Sequence, residues 1–237
     1  MKKAFPGDFL ILNIFVALFT NIRKVKSIIG YSFGHCLVLS GGIGYFSMNR
    51  EKIKKELIEI FREFREKRMR QWRRVLPIGD EISDRWEKAK YLGFGEGTTI
   101  YDSSLVIGDV RVGKNTWIGP FTILDGSGGL EIGDNCSIAG GVQIYSHETI
   151  FWALSGGKMK YTRAETIIGS CCYIGPNTVV SRGVTIGSHC LVGANSVVNN
   201  DLNPYSIAIG SPCKIVGKIK TDEKGQVELL MNKDLKR

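Results

Sequence analysis

At 237 residues, 43% of them hydrophobic, the chain is long enough to bury a full core in one domain and still carry an appendage. Its formal charge of +9 calls for an anionic partner: nucleic acid, an acidic membrane surface or a phosphate-bearing small molecule. The six cysteines include no CxxC pair, which argues against a disulfide framework and a thiolate metal site; Cys136, Cys172 and Cys190 read as buried, reduced thiols, with Cys171 pointing outward and Cys213 in the tail, as suits a cytoplasmic protein.

Residues 1–48 hold two apolar stretches. Phe9 to Ile22 is, at about 1.5 Å per residue, too short to cross a hydrocarbon core of about 30 Å. Ser27 to Met48 carries no charged side chain and is long enough, but Gly30, Gly34, Gly41, Gly42 and Gly44 weaken any single helix there. With Lys2 and Lys3 before the first stretch and Arg23, Lys24 and Lys26 after it, two readings stand. One is a membrane-dipping or hairpin element at the inner face of the membrane; the other is a pair of apolar segments packed within the protein. A cleaved signal peptide is not expected, because no small-residue cleavage pattern follows Thr20.

Arg50 to Val75 has apolar residues at mostly three- and four-residue intervals (Ile53, Leu57, Ile60, Phe61, Phe64, Met69, Trp72), which predicts a helix. Its remaining positions hold eleven Lys or Arg against five Glu, crowded toward the end. That face reads either as a surface for anionic lipid headgroups or as a solvated flank; no recognition motif accompanies it, so nucleic acid is not expected. Pro77 to Trp86 carries Pro77, Gly79, Asp80 and Ser83 and reads as a hinge between domains.

After imperfect repeats over 87–111, an aliphatic followed by a small residue returns every six positions. The series runs Val112-Gly113, Ile118-Gly119 and Leu124-Asp125, slips by two residues to Ile132-Gly133, Ile138-Ala139 and Ile144-Tyr145, and resumes from Ile168-Gly169 to Val198-Asn199. Four positions after most of these aliphatics stands a small or β-branched residue, Cys136, Cys172 and Cys190 among them. A helix would repeat at 3.6 and a strand at 2; a period of six belongs to a parallel β-solenoid, in which one aliphatic per repeat fills the axis. Between Ile144 and Ile168 the phase holds but aliphatics are missing, so 149–166 (TIFWALSGGKMKYTRAET) is expected to leave the coil as an external loop.

These repeats, the segment Ile132 to His147 and the tail Ile207 to Val216 resemble the hexapeptide-repeat acyltransferases, over roughly residues 92–217. The resemblance implies a mainly β chain: a left-handed parallel β-helix solenoid, three hexapeptides per turn, assembled as a homotrimer. With the boundary read at Pro77–Trp86, the domain division is 1–76 (helical, partly apolar), 87–217 (β-helix with the external loop 149–166) and 218–237 (tail). The resemblance also implies acetyl-CoA as donor, with no metal. Matched against the sugar O-acetyltransferases, Tyr173 takes an aromatic position beside the pantetheine arm. Pro176 and Ala194 take backbone-contact positions, Asn199 and Asn200 replace a Thr-Lys type pair, and Lys214 offers a cation to a CoA phosphate. Gly217 stands where the family often has a second basic residue.

The histidine at the edge of the interrupted repeat, His147, is the candidate general base: a hydroxyl attacking a thioester must lose its proton, and imidazole is suited to take it. The family places a base just ahead of such a loop. Its other nitrogen needs a partner. Glu148 is adjacent in sequence; Asp125, about one coil earlier, is the alternative, and could instead bind the acceptor or simply stabilise a turn before glycine. Tyr145 and Trp152 are expected on the acceptor side. His35 and His189 are given no role, and direct transfer is expected because no serine or cysteine has a nucleophile's setting. The expected activity is O-acetylation of a sugar hydroxyl in a cell-surface glycan or its precursor. N-acetylation of an amino-sugar nucleotide or small amine, and a non-catalytic scaffold, are the alternatives.

Overall fold

The structure, a computed structural model, describes residues 49–232. The expectations placed on residues 1–48, His35 included, lie outside the described residues. The chain divides into two units, Met1–Arg50 and Glu51–Arg237, and the second holds the repeats.

Helix α1 spans Arg50–Trp72 and stops where Arg73 turns to a left-handed φ of 49°. It buries none of its residues: Leu57, Ile58, Met69 and Trp72 are each close to half exposed. Its C-terminal end is held by Arg68, which donates to the Glu81 carbonyl at 3.3 Å and faces the Glu81 carboxylate at 3.6 Å.

The segment expected as a hinge is helical instead. Helices α2 (Ile78–Ile82) and α3 (Arg85–Tyr91) fill it, and the Asp84 carboxylate caps α3 by accepting from the amides of Trp86 and Glu87. The same residues that read as breakers serve as caps and anchors. Asp80, 2% exposed, accepts from the Ser103 amide, and Lys88 Nζ donates to the carbonyls of Tyr101, Asp102 and Ser104, each at 3.0 Å. These bonds tie the two short helices to the first coil.

From Thr99 onward the chain winds as a parallel β-helix. Three columns of aliphatics fill its axis. The first is Ile100, Ile118, Ile138, Ile174, Val192 and Ala208, each in register with the next. The second is Val106, Leu124, Ile144, Val180 and Val198. The third is Val112, Ile132, Ile168, Ile186 and Leu202. Each column sits on one face, so three hexapeptides make one coil. All but the half-buried Val106 are buried, and together they form a single hydrophobic core.

The small residue four positions on has its own task. At the corner entering the first face, Thr98 Oγ1 donates to Gly113 O, Thr116 Oγ1 to Gly133 O, Cys136 Sγ to Gly169 O, Cys172 Sγ to Gly187 O and Cys190 Sγ to Asn203 O. Hydroxyls and thiols thus satisfy corner carbonyls of the next coil. The corners turn through left-handed residues such as Asn115, Asn135, Asn177 and Asn195, at φ of 53–56°. His189 is another such corner residue and stacks on Tyr205 at 4.7 Å between centroids.

The stretch past Gly217 is built into the fold. Lys214–Thr221 pairs antiparallel with Ser206–Ile209 and in turn with Val227–Met231, which extends the first face at its C-terminal edge.

Candidate functional site

The two-residue slip in the repeat is where the site is made. Ile107 pairs with Asp125 and Gly108 with Gly126, but Val110 pairs with Leu130, so Gly126–Gly129 bulges out of an otherwise continuous strand, Ile123–Ile132. Glycine is required by contact here: a Cβ on Gly126 would lie 2.1 Å from the Asp109 carbonyl oxygen, and one on Gly128 would lie 2.4 Å from that of Ser146. The bulge is clasped to the next coil, with Ser146 Oγ donating to Asp125 O at 2.6 Å and accepting from Gly128 N at 2.8 Å.

Asp125, 1% exposed, therefore presents its carboxylate toward the next coil. Oδ1 accepts from the Ser127 amide at 2.8 Å, and Oδ2 meets Nδ1 of His147, whose side chain remains about one-third exposed. Burial alone would raise the Asp125 pKa, but the bonds from Ser127 and the contact with His147 overcome it and hold the carboxyl below its ordinary value. A buried anion on Nδ1 fixes the ring orientation and keeps the proton on that nitrogen, which leaves Nε2 free to accept one.

Glu148 does not fill this role. His147–Glu148 is a two-residue strand, and neighbours in a strand point to opposite faces. Glu148 turns away from the imidazole and takes Arg182 of the following coil, Nη2 to Oε1 at 2.6 Å. Arg182 escaped the sequence reading because the intervening loop hides which later residue stacks beside Glu148; its one signal is a cation at a corner otherwise filled by small and polar residues.

The loop that follows is an excursion with a closed neck. His147–Glu148 pairs antiparallel with Thr162–Arg163, setting His147 opposite Arg163 and Glu148 opposite Thr162. Within it, helix α4 (Ile150–Leu154) carries Phe151 and Trp152, and Gly156 and Gly157 make the tip at φ of 62° and 83°. The loop closes one residue earlier than the six-residue phase implied. Thr166 is fully buried on the third face and donates through Oγ1 to the Tyr145 carbonyl.

The remaining candidates divide between two edges of the second face. Tyr145, Asn199 and Asn200 lie on the same edge as His147: the register partners Ile144, Val180 and Val198 stack directly before them. Tyr145 donates through its hydroxyl to Gln143 Oε1, and Asn200 Nδ2 donates to Asn199 Oδ1. Pro176 and Ala194 lie on the opposite edge, on successive coils, after the exposed Tyr173. Lys214 pairs with Ile209 on that same side. Trp152 is half exposed on α4, outside both groups. One protomer thus does not bring the six donor-side residues together. Among the described residues, no cluster of three or more His, Cys, Asp or Glu is placed to hold a metal ion.

Two family patterns match the chain: the bacterial transferase hexapeptide (six repeats) over residues 165–200, and the hexapeptide repeat of succinyl-transferase over 109–146. A protein of Staphylococcus aureus strain Mu50, named as an acetyltransferase, is 38% identical over 63 residues, 26% of this chain and 32% of that protein. Another, from strain COL, is 38% identical over 55 residues, 23% of this chain and 28% of its own length. The chain therefore spans about a third of the length of these relatives. Among solved structures, a hexapeptide-repeat-containing acetyltransferase of Vibrio cholerae O1 biovar eltor, in complex with acetyl-coenzyme A, superposes with a TM-score of 0.51 at 23% identity, covering 69% of this chain and 90% of the other. A maltose O-acetyltransferase of Clostridium difficile 630 is 30% identical over 70% of this chain and 89% of its own, with a TM-score of 0.49.

Proposed function

We propose that this chain, which matches hexapeptide-transferase repeats over residues 109–146 and 165–200, transfers the acetyl group of acetyl-CoA to a sugar hydroxyl, with His147 as general base and Asp125 as the residue that orients it. The observation that carries this reading is the buried Asp125 carboxylate on Nδ1 of a half-buried His147, at the neck of the loop that interrupts the coil.

The reaction is direct. Nε2 of His147 takes the proton of the acceptor hydroxyl as its oxygen attacks the thioester carbonyl; the carbon–sulfur bond then breaks, and the proton passes to the departing thiolate. The ionised Asp125 stabilises the transient imidazolium and holds the reactive tautomer.

The donor set supports a homotrimer. Tyr173, Pro176, Ala194 and Lys214 lie across the second face from His147, so a donor reaching both would lie along a groove between protomers. Asn199 and Asn200 would face it from the base's own edge. The outward column of the second face, Leu105, Ile123, Gln143, Val179 and Val197, is apolar but for one glutamine, which suits it to burial against another copy. Trp152 and Tyr145 would line the acceptor side. An acceptor belonging to a cell-surface glycan or its precursor fits the unburied, basic helix α1, which would rest on an anionic membrane at its inner face. No helix among the described residues is long and apolar enough to cross a membrane.

Thiol release from acetyl-CoA, measured against free sugars, amino-sugar nucleotides and lipid-linked glycans, tests the reading. Turnover with a hydroxyl acceptor, lost in His147→Ala with the assembly intact, supports it. Full activity in that variant would overturn the mechanism, and turnover with amines alone would move the chemistry to nitrogen.

A further inference from the structure

The ribbon that closes the loop neck sorts its side chains into two sets. Residues directly opposite in an antiparallel pair lie on one face, as do residues two apart in a strand. His147 and Arg163 therefore share one face, with the Tyr161 ring against Arg163, and Glu148 and Thr162 share the other, where Glu148 meets Arg182.

The charges on the two faces differ in one respect. Glu148 and Arg182 neutralise each other. On the His147 face, Asp125 is committed to the imidazole, and Glu165, the next acid along the chain, faces Arg111 at 3.8 Å. Arg163 forms an ion pair with no carboxylate among the described residues; its guanidinium lies over the Tyr161 ring, 5.0 Å from the centroid. An aromatic ring holds the planar cation in place without consuming its hydrogen-bond donors. Lys158 and Lys160, also without ion-pair partners among the described residues, add positive charge to the same loop, which holds no acid between Thr149 and Ala164.

We propose that Arg163, positioned on Tyr161 beside His147, recognises an anionic group of the acceptor, a sugar carboxylate or phosphate, so that the enzyme selects acidic over neutral glycans. This rests on the acetyltransferase reading above. The donor does not supply the anion: the end of acetyl-CoA that must approach His147 is an uncharged thioester on an uncharged pantetheine arm, and its phosphates stand at the far end. The fork of donors on a guanidinium suits a planar carboxylate or a phosphate in bidentate fashion, whereas lysine would offer only a point charge.

Three probes test it by calorimetric titration of the full-length protein: a trigalacturonate, the same trisaccharide with its carboxyls reduced to alcohols, and the reduced trisaccharide carrying a 1-phosphate. The wild type is expected to bind at least one of the two anionic probes about tenfold or more tighter than the neutral one, the magnitude of a charged hydrogen bond. Which anionic probe binds identifies carboxylate or phosphate. Arg163→Ala should bring the ratio near one, Arg163→Lys should retain part of it, and His147→Ala should keep it in full. Because Arg163 is exposed, its substitution leaves the core untouched. Equal binding of all three probes, a preference that survives Arg163→Ala, or no binding of any probe would overturn the proposal. Transfer of acetyl to the neutral trisaccharide, with rates unchanged in Arg163→Ala, would also sink it while leaving the acetyltransferase reading standing; loss of transfer to every acceptor would sink that reading instead.

Discussion

Asp125 serves His147 and its own turn with the two oxygens of one carboxylate: Oδ2 meets Nδ1 of the imidazole while Oδ1 accepts from the Ser127 amide. An aspartate before glycine here stabilises its own turn and also contacts the imidazole, so the proposed orienting role sits on the same carboxylate as the turn bond. The two roles separate under mutation.

Asp125→Asn keeps an oxygen for the Ser127 amide but turns an amide NH2 toward His147. Nδ1 must then accept rather than donate, the ring proton moves to Nε2, and the base is blocked. We expect kcat to fall about 100-fold or more, KM to change little, and the thermal midpoint to move by only a few degrees. Asp125→Ala removes both bonds and should lower kcat and stability together. Steady-state thiol release beside thermal unfolding distinguishes the two patterns.

The depressed pKa of Asp125 also sets a pH dependence. A carboxyl held lower in the folded state than in the unfolded chain contributes stability that is fully present above its unfolded value, near 3.8, and is lost as pH falls through the lower folded value. The stability difference between wild type and Asp125→Asn should therefore not fall between neutral pH and about 5. It should shrink only in the acid range below, where urea titrations at successive pH values can follow it. A difference that decayed between pH 8 and 6 would assign it to another group.

The periodic part of this architecture was open to reading from Ile100, Ile118, Ile138, Ile174 and Val192 alone, because each coil must present the same aliphatic to the same axis. The slip between Leu124 and Ile132 was equally visible, and it is the bulge that carries Asp125. What sequence adjacency misjudged was Glu148: nearness along an extended strand sends a side chain away from its neighbour. Arg163 and Arg182 were not legible, since their proximity to His147 and Glu148 depends on where a loop of arbitrary length rejoins the coil. Pro77 and Ser83 misled for another reason. Breakers mark helix ends as readily as hinges, and short helices packed on a first coil need such ends.

Gly128 offers a steric test of the clasp. Its absent Cβ would meet the Ser146 carbonyl at 2.4 Å and the Ala164 amide nitrogen at 2.9 Å, both backbone atoms that cannot swing aside. Gly128→Ala should push Ser146 and His147 away from Asp125, costing about 1–3 kcal/mol of stability and most of the activity. Gly156→Ala, at the loop tip with open space around it, carries only the strain of its φ of 62° and should leave activity nearly intact. Equal losses in the two variants would remove the bulge from the mechanism.

Arg182 pins the neck of the loop through Glu148 with both side chains about three-quarters buried, so removing one partner strands the other charge in a poorly solvated site. Arg182→Ala should loosen the His147–Glu148 and Thr162–Arg163 ribbon and hasten protease cleavage at Gly156–Gly157, with kcat reduced. The reversed pair, Glu148→Arg with Arg182→Glu, should recover part of both. If the double variant cleaves as fast as the worse single, the ion pair is not what closes the neck.

Helix α1 presents a final, separable expectation. It buries no residue, and its Lys54, Lys55, Arg65 and Lys67 stand exposed without ion-pair partners among the described residues. A basic cation near an anionic leaflet contributes about 1 kcal/mol, or roughly fivefold in binding per charge, and the contribution fades with salt. Reversing these four to glutamate should abolish co-sedimentation with phosphatidylserine vesicles at physiological ionic strength while leaving thiol release with a soluble acceptor unchanged, because α1 lies outside the coil that carries His147. Vesicle binding that persists in the variant, or that is indifferent to salt in the wild type, would show that α1 is a solvated flank and that residues 1–48 must account for any membrane attachment.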